Sequence, residues 1–181
     1  MKYIVPTIAL IVFISTSLYA PESQANDDEC AIWLCLPTGF PSGCGDAKKA
    51  FKKRIKKGKS PLPSLSSCMA NNPLSSSNDN NNDVTTNEGI AALIPEHEKC
   101  AEWRYSRGKR DNDKVCVKQE IVPTQAIKGT RCKVFGVKND TPQHTPKGCS
   151  TTIRFVDTFI DGRQYGKTFY FDSAGNEVHI P

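Results

Sequence analysis

No C-x2-C pair occurs in this chain, although it carries 8 cysteines. The gaps between successive cysteines run x4, x8, x23, x15, x15 and x16, with an x31 gap dividing the first four from the last four. The knuckle that grips a tetrahedral zinc is therefore missing, and no metal site is expected. Histidine is scarce as well. His97, His144 and His179 are the only three, all in polar or terminal surroundings that suit surface side chains. No G-x-S-x-G and no H-E-x-x-H is present, so no nucleophile–base pair is spelled out. His97 stands close to Cys100, but a disulfide-bonded cysteine offers no thiolate. Glu96, Glu98 and Glu102 are the carboxylates that a wall-cleaving glycosidase would need in a positioned pair, and nothing beyond their abundance marks them out. No catalytic residue, cofactor or small-molecule ligand follows. Long apolar runs are also missing after the amino terminus, and a helical span needs about 20 such residues.

What is present begins with an export signal. Lys2 is a short positive region, and Ile4 to Ile14 is nearly unbroken apolar chain. Ser23-Gln24-Ala25 places small residues where a signal peptidase reads, so residues 1–25 are expected to be removed. Cleavage after Ala20 is the alternative, and an uncleaved anchor is disfavoured by length. An oxidising compartment pairs thiols. Cys30, Cys35, Cys44 and Cys68 precede a polar stretch, and Cys100, Cys116, Cys132 and Cys149 follow it. Two disulfides in each half is the simplest arrangement. Four cysteines allow three connectivities, and spacing does not choose among them. Cys35–Cys44 across the Gly- and Pro-rich turn and Cys30–Cys68 at the open end are preferred for the first half, a pairing that closes one loop inside another.

Asn26-Asp27-Asp28-Glu29 suits a helix start, where acidic groups face the positive end of the dipole. Cys30-Ala31-Ile32-Trp33-Leu34-Cys35-Leu36 is apolar on every side, and Pro37 ends it. Periodicity does not separate buried helix from buried strand here, but the acidic cap and the Ala/Leu content favour helix. Gly39, Pro41, Gly43 and Gly45 then make a tight connection. A second helix is expected over 44–57. Ala47, Ala50, Phe51 and Ile55 fall on one side, and Lys48, Lys49, Lys52, Lys53, Lys56 and Lys57 cover the other. Gly58 suits the C′ position. Residues 46–59 hold eight basic groups and one acid, a local +7 against +5 for the whole chain. The two helices would form a hairpin, with Trp33 and Leu36 packed on Phe51 and Ile55.

Residues 71–89 are rich in Asn, Ser and Asp, and such composition buries too little to offset ordering entropy. They read as a flexible linker between a cysteine-rich helical hairpin domain, 26–70, and a disulfide-containing β-rich domain, 90–181. In the latter, 90–103 reads as a short helix. Short β-favouring runs follow at 115–117, 121–122, 132–137, 152–160 and 167–171, with connections at 161–166 and 173–176 and a last short strand at 177–180. The fold class expected is α+β.

A cationic helix face attracts acidic protein patches or anionic lipid, or it is simply solvated. Lysine dominates it and no aromatic lies among the cations, so direct nucleic-acid binding is not expected. The run Cys30 to Pro37 (CAIWLCLP), then Gly39 to Cys44 (GFPSGC), the basic helix, Gly58 to Pro63 (GKSPLP) and Ser67-Cys68 resembles the TrbM/KikA/MpfK family of conjugal transfer proteins over roughly residues 28–70. The resemblance implies a periplasmic or envelope-associated accessory of plasmid conjugation, linked to mating-pair formation and type IV secretion. It implies protein partners in that apparatus and no catalytic residues. A cationic membrane-active or toxin-like protein and a peptidoglycan-acting enzyme are the competing readings.

Overall fold

The computed structural model describes residues 27–70, 83–105, 114–136 and 142–181. The expected signal peptide and most of the expected linker lie outside the described residues. The architecture is α+β: a small helical unit near the amino terminus, then antiparallel sheet held with disulfides.

The helical unit opens with α1 (Asp27–Cys30), whose first turn holds Asp27, Asp28 and Glu29. It continues almost without a break through α2 (Ile32–Cys35) into a 3-10 turn, Leu36–Thr38. Pro37 sits in that turn, and Gly39 reverses the chain at φ 78°. The run is not buried all round: Ile32, Cys35 and Leu36 are buried, Trp33 is half-buried, and Leu34 is exposed. Trp33 donates its indole N–H to the Pro63 carbonyl at 3.1 Å. Helix α3 (Gly45–Lys56) follows. Its end is a Schellman closure: the Gly58 amide reaches the Ile55 carbonyl at 2.9 Å, and the Lys59 amide reaches that of Arg54 at 3.0 Å. Gly58 stands at φ 67°, so the C′ glycine does what its backbone freedom allows. A last short helix, α4 (Leu65–Ala70), carries Cys68 back to Cys30. The disulfides are Cys30–Cys68, Cys35–Cys44, Cys100–Cys116 and Cys132–Cys149.

The main sheet has four antiparallel strands in the order β4 (Gln125–Lys128), β1 (Val84–Ile94), β7 (Thr151–Ile160), β8 (Arg163–Phe171). Two ribbons accompany it: β2 (His97–Tyr105) with β3 (Lys114–Val122), and β5 (Lys133–Phe135) with β6 (Gln143–Thr145).

Four expectations are corrected. Residues 90–103 are not a helix but the end of β1 and most of β2. Their Ala content favours helix, yet Ala91 and Ala92 are fully buried in a strand flanked on both sides, and burial overrides propensity. Residues 84–89 are not linker, since they pair with 160–155 of β7. Gly89 fits there because the Phe155 ring lies over it; an added Cβ would stand 3.1 Å from the ring. The connection 161–166 shrinks to two residues. Asp161 and Gly162 take φ 50° and 71°, as a two-residue hairpin turn of this twist requires, and Arg163 to Gly166 are strand. Finally, 26–70 does not keep its core to itself but shares it with the sheet, which also holds two smaller clusters of its own. Phe51, Ile32, Leu36, Phe40 and Ile55 share one buried cluster with Val156, Phe169 and Phe171 of the sheet. Two short helices cannot cover their own apolar side, and the aromatic strand β8 supplies the missing surface. The Phe51 ring lies 5.1 Å from Phe171 and 5.5 Å from Phe169, edge to face in both cases.

Candidate docking surface on helix α3

Helix α3 is pinned by its inner side. Ala47, Phe51, Arg54 and Ile55 are buried, and Ala50 is half-buried beside them. Of the residues expected in a hairpin core, Leu36, Phe51 and Ile55 are buried in the cluster shared with the sheet, and Trp33 packs at its margin. A helix so held has little freedom to roll, and its outer side is presented in one orientation.

That outer side is less uniform than six equivalent lysines. Lys53, Lys56 and Lys57 are exposed, and no ion pair engages them among the described residues. Lys49 is exposed but donates to Asp46 at 2.9 Å, and that hydrogen bond raises the lysine pKa above its ordinary value. Lys48 and Lys52 are half-buried. Lys48 reaches Glu177 at 3.6 Å, and the Lys52 backbone packs against Gly175. The charge open to a partner thus concentrates toward the carboxyl end of α3, where the exposed Lys59 follows.

Arg54 departs from the charge arithmetic of the sequence. It belongs to the local +7, but it is buried and contributes nothing to the surface. Its guanidinium donates to the Ser60 carbonyl and to the Leu62 carbonyl, each at 3.0 Å, and forms an ion pair with Glu29. The guanidinium fork suits this role, tying α1 and the 58–63 turn to α3. The signal was legible: residue 54 falls three positions after Phe51, on the apolar stripe, where a cation needs a partner.

The acidic turn after β8 borders the same surface. Burial pushes the Asp172 carboxyl up, but the Asn176 side chain, the Asn176 and Ala174 amides and the nearby Lys52 charge outweigh it. The net result is a carboxyl held below its ordinary value of 3.8.

A second polar cluster was missed. Asp157 is buried where the β7–β8 register shifts. Both of its oxygens accept from Lys128 at 2.8 Å, and one also accepts from Thr168 at 2.5 Å. The Lys128 ammonium lies 4.9 Å from the centre of the Phe155 ring. The carboxylate is well satisfied, so its evident work is to join β4 to β7 across β1. An acid directly after Phe155-Val156 in the strand-forming run 152–160 was the available signal.

The other sequence candidates do not converge. Glu96, Glu98 and Glu102 are exposed at or beside β2. His97 is exposed with Nδ1 3.0 Å from the Pro95 carbonyl, and His179 is exposed near the carboxyl end. His144 lies with Cys132 and Cys149, their ligand atoms within 4.8 Å of one another. The two sulfurs are bonded to each other, so no thiolate is offered. A cleft of about 480 Å3 runs between the 3-10 turn, β8 and residues 177–180. It is lined by Thr38, Lys167, Thr168, Glu177 and His179 among others, with no nucleophile–base pair among them.

No family model, curated protein or solved structure matches this chain. Within the described residues, no helix is long and apolar enough to cross a membrane.

Proposed function

We propose that this protein is an exported accessory component of plasmid conjugal DNA transfer, associated with mating-pair formation and type IV secretion. It works in the periplasm or at the cell envelope, and it acts by binding rather than catalysis. Its partner is an acidic patch on a protein of that apparatus or an anionic membrane surface. One observation carries the reading: the exposed cations Lys53, Lys56 and Lys57 project from a helix whose other side is locked into the core. They lie within the segment whose motifs resemble the TrbM/KikA/MpfK family. Four disulfides fit an oxidising compartment. The apolar side of α3 is fully used in packing, which argues against a toxin-like helix that inserts into lipid.

Counting transconjugants from the parent plasmid tests the proposal. Deletion of the gene is expected to lower transfer sharply. The combined change Lys53→Glu, Lys56→Glu and Lys57→Glu is expected to lower it by about tenfold or more while leaving the oxidised protein at its normal level, since reversing charges at a docking patch costs several kcal/mol. Crosslinking from Lys56 in cells identifies the captured component. Undiminished transfer on deletion would overturn the proposal.

A further inference from the structure

One cluster of side chains has no role in the docking surface. Cys132 stands just before β5, His144 in the middle of β6 and Cys149 in the link to β7. The pairing of β5 with β6 sets His144 opposite Val134, two residues from Cys132 and so on its face of the ribbon. The imidazole and the two sulfurs meet there, their ligand atoms within 4.8 Å of one another. The His144 Nδ1 is closed off from solvent and has no hydrogen-bond partner among the described residues. A buried ring nitrogen without a partner costs free energy, and a sulfur already in a disulfide is a poor partner for it. A thiol or thiolate is a better one. Nδ1 accepts from S–H in one tautomer, and as N–H it donates to S− in the other. Opening the Cys132–Cys149 bond is thus the event that satisfies the ring.

We propose that Cys132–Cys149 is an exchange-active disulfide whose reduced form His144 stabilises, and that it takes electrons from a dithiol. The inference stands apart from the function proposed above. His97 and His179 are exposed, and His144 is the histidine that stands against a disulfide among the described residues.

Access sets the direction of the exchange. Cys149 is 2% exposed and packs with Ala92 and Ile94, whereas Cys132 is half-buried at the margin of that cluster. A thiolate of the dithiol therefore attacks Cys132 Sγ. The new bond forms there as the Cys132–Cys149 bond breaks, and the electron pair leaves on Cys149 Sγ beside His144. The second thiol of the dithiol then displaces Cys132. The dithiol ends as a disulfide, and its two electrons and two protons end on the two cysteines. Stabilising the departing thiolate speeds the first step and favours the reduced form.

The frame keeps the pair ready to close again. The Cys132 amide donates to Thr152 Oγ1 at 2.9 Å, and that hydroxyl donates to the Cys132 carbonyl at 3.3 Å. The Cys149 amide donates to the Pro146 carbonyl at 3.1 Å, and the Ser150 amide to the Leu93 carbonyl at 2.8 Å. None of these bonds needs the disulfide. The two Cα atoms, 5.9 Å apart, should therefore stay near that spacing in the dithiol.

The test equilibrates the oxidised protein, beginning at Asn26, in graded mixtures of reduced and oxidised dithiothreitol, with a metal chelator and without oxygen. Acid quenching, alkylation of free thiols and peptide mass spectrometry then read each bond separately. Cys132–Cys149 should open while Cys30–Cys68 and Cys35–Cys44 stay closed. With His144→Phe, opening that bond should need about a tenfold higher ratio of reduced to oxidised reagent, as the loss of one buried pairing predicts. His144→Gln, which keeps a donor and an acceptor, should recover part of the shift. The other three bonds should not move with either change. Brief exposure to glutathione should leave its mixed disulfide on Cys132 and a free thiol on Cys149. Four results would overturn the proposal: an unchanged ratio in His144→Phe, a shift shared by all four bonds, Cys132–Cys149 opening after both bonds of the helical unit, or the glutathione adduct on Cys149.

Discussion

At the scale of the residue, Arg54 decides more than any single lysine. It is one of the most buried cations in the described structure, and its contacts reach two other parts of the helical unit, α1 and the 58–63 turn. Removing one partner of such an arrangement leaves the other charge and two carbonyls without their donor. Arg54→Met is therefore expected to destabilise the oxidised protein by about 3–5 kcal/mol. Arg54→Lys should recover little, since a point ammonium cannot serve three acceptors laid out for a planar fork. Urea unfolding without reductant measures both. If Glu29→Gln combined with Arg54→Met costs far less than the two separate losses added, the ion pair is coupled as described. The half of this site formed by Glu29 was read from sequence as a helix-start acid, which it also is. Its partnership with residue 54 was hidden, because two residues 25 apart are joined only after α2 and α3 have folded back.

At the scale of the element, local rules succeeded where local physics decides. The Gly58 stop, the Pro37 break and the 173–176 turn all appear where turn and cap chemistry places them. They failed where neighbours decide. The stretch 84–94 has no strong strand signal in Asn87, Glu88 and Gly89, and becomes a strand because β7 and β4 lie on either side. The turn after β8 offers a prediction at this scale. Asp172 accepts from the Ala174 and Asn176 amides, each at 2.8 Å, and thereby returns the chain so that the Val178 amide bonds the Tyr170 carbonyl at 2.8 Å. Its folded pKa lies below the ordinary 3.8. A carboxyl depressed in this way contributes stability that is complete above the unfolded value and is lost as pH falls through the folded one. Protection of the Val178 amide from hydrogen exchange should therefore hold steady above about pH 4 and decline below it. Asp172→Asn should lower that protection at neutral pH and remove its acid dependence. Equal protection in the two proteins across the range would show that the clasp does not depend on charge.

At the scale of the molecule, the two halves of the sequence look independent and are not. Each has its own four cysteines, and each closes its disulfides within itself. That arrangement disguises the shared interior. The aromatic run of β8 was visible as a strand, but its purpose was not, because hydrophobic patterning says which face is buried and not against what. Phe51 settles the matter: it is fully buried against Phe40, Phe169 and Phe171, a helix side chain enclosed largely by strand residues. Truncating it to alanine should cost about 3–5 kcal/mol. The larger consequence is cooperativity. Because the helical unit buries its apolar face on the sheet, it has no separate core to fall back on, and the sheet keeps only two smaller clusters of its own, around Ala91, Ile153 and Phe155 and around Ala92, Ile94 and Cys149. Thermal unfolding of the oxidised protein should then follow one transition, with the Phe51→Ala change lowering its midpoint as a whole. Trp33 fluorescence in a Trp103→Phe background reports the helical unit, and amide resonances of β7 and β8 report the sheet. The two probes should move together in the parent and in Phe51→Ala alike. A sheet that outlasts the helices by many degrees would mean that the contact is an interface between two domains rather than one core.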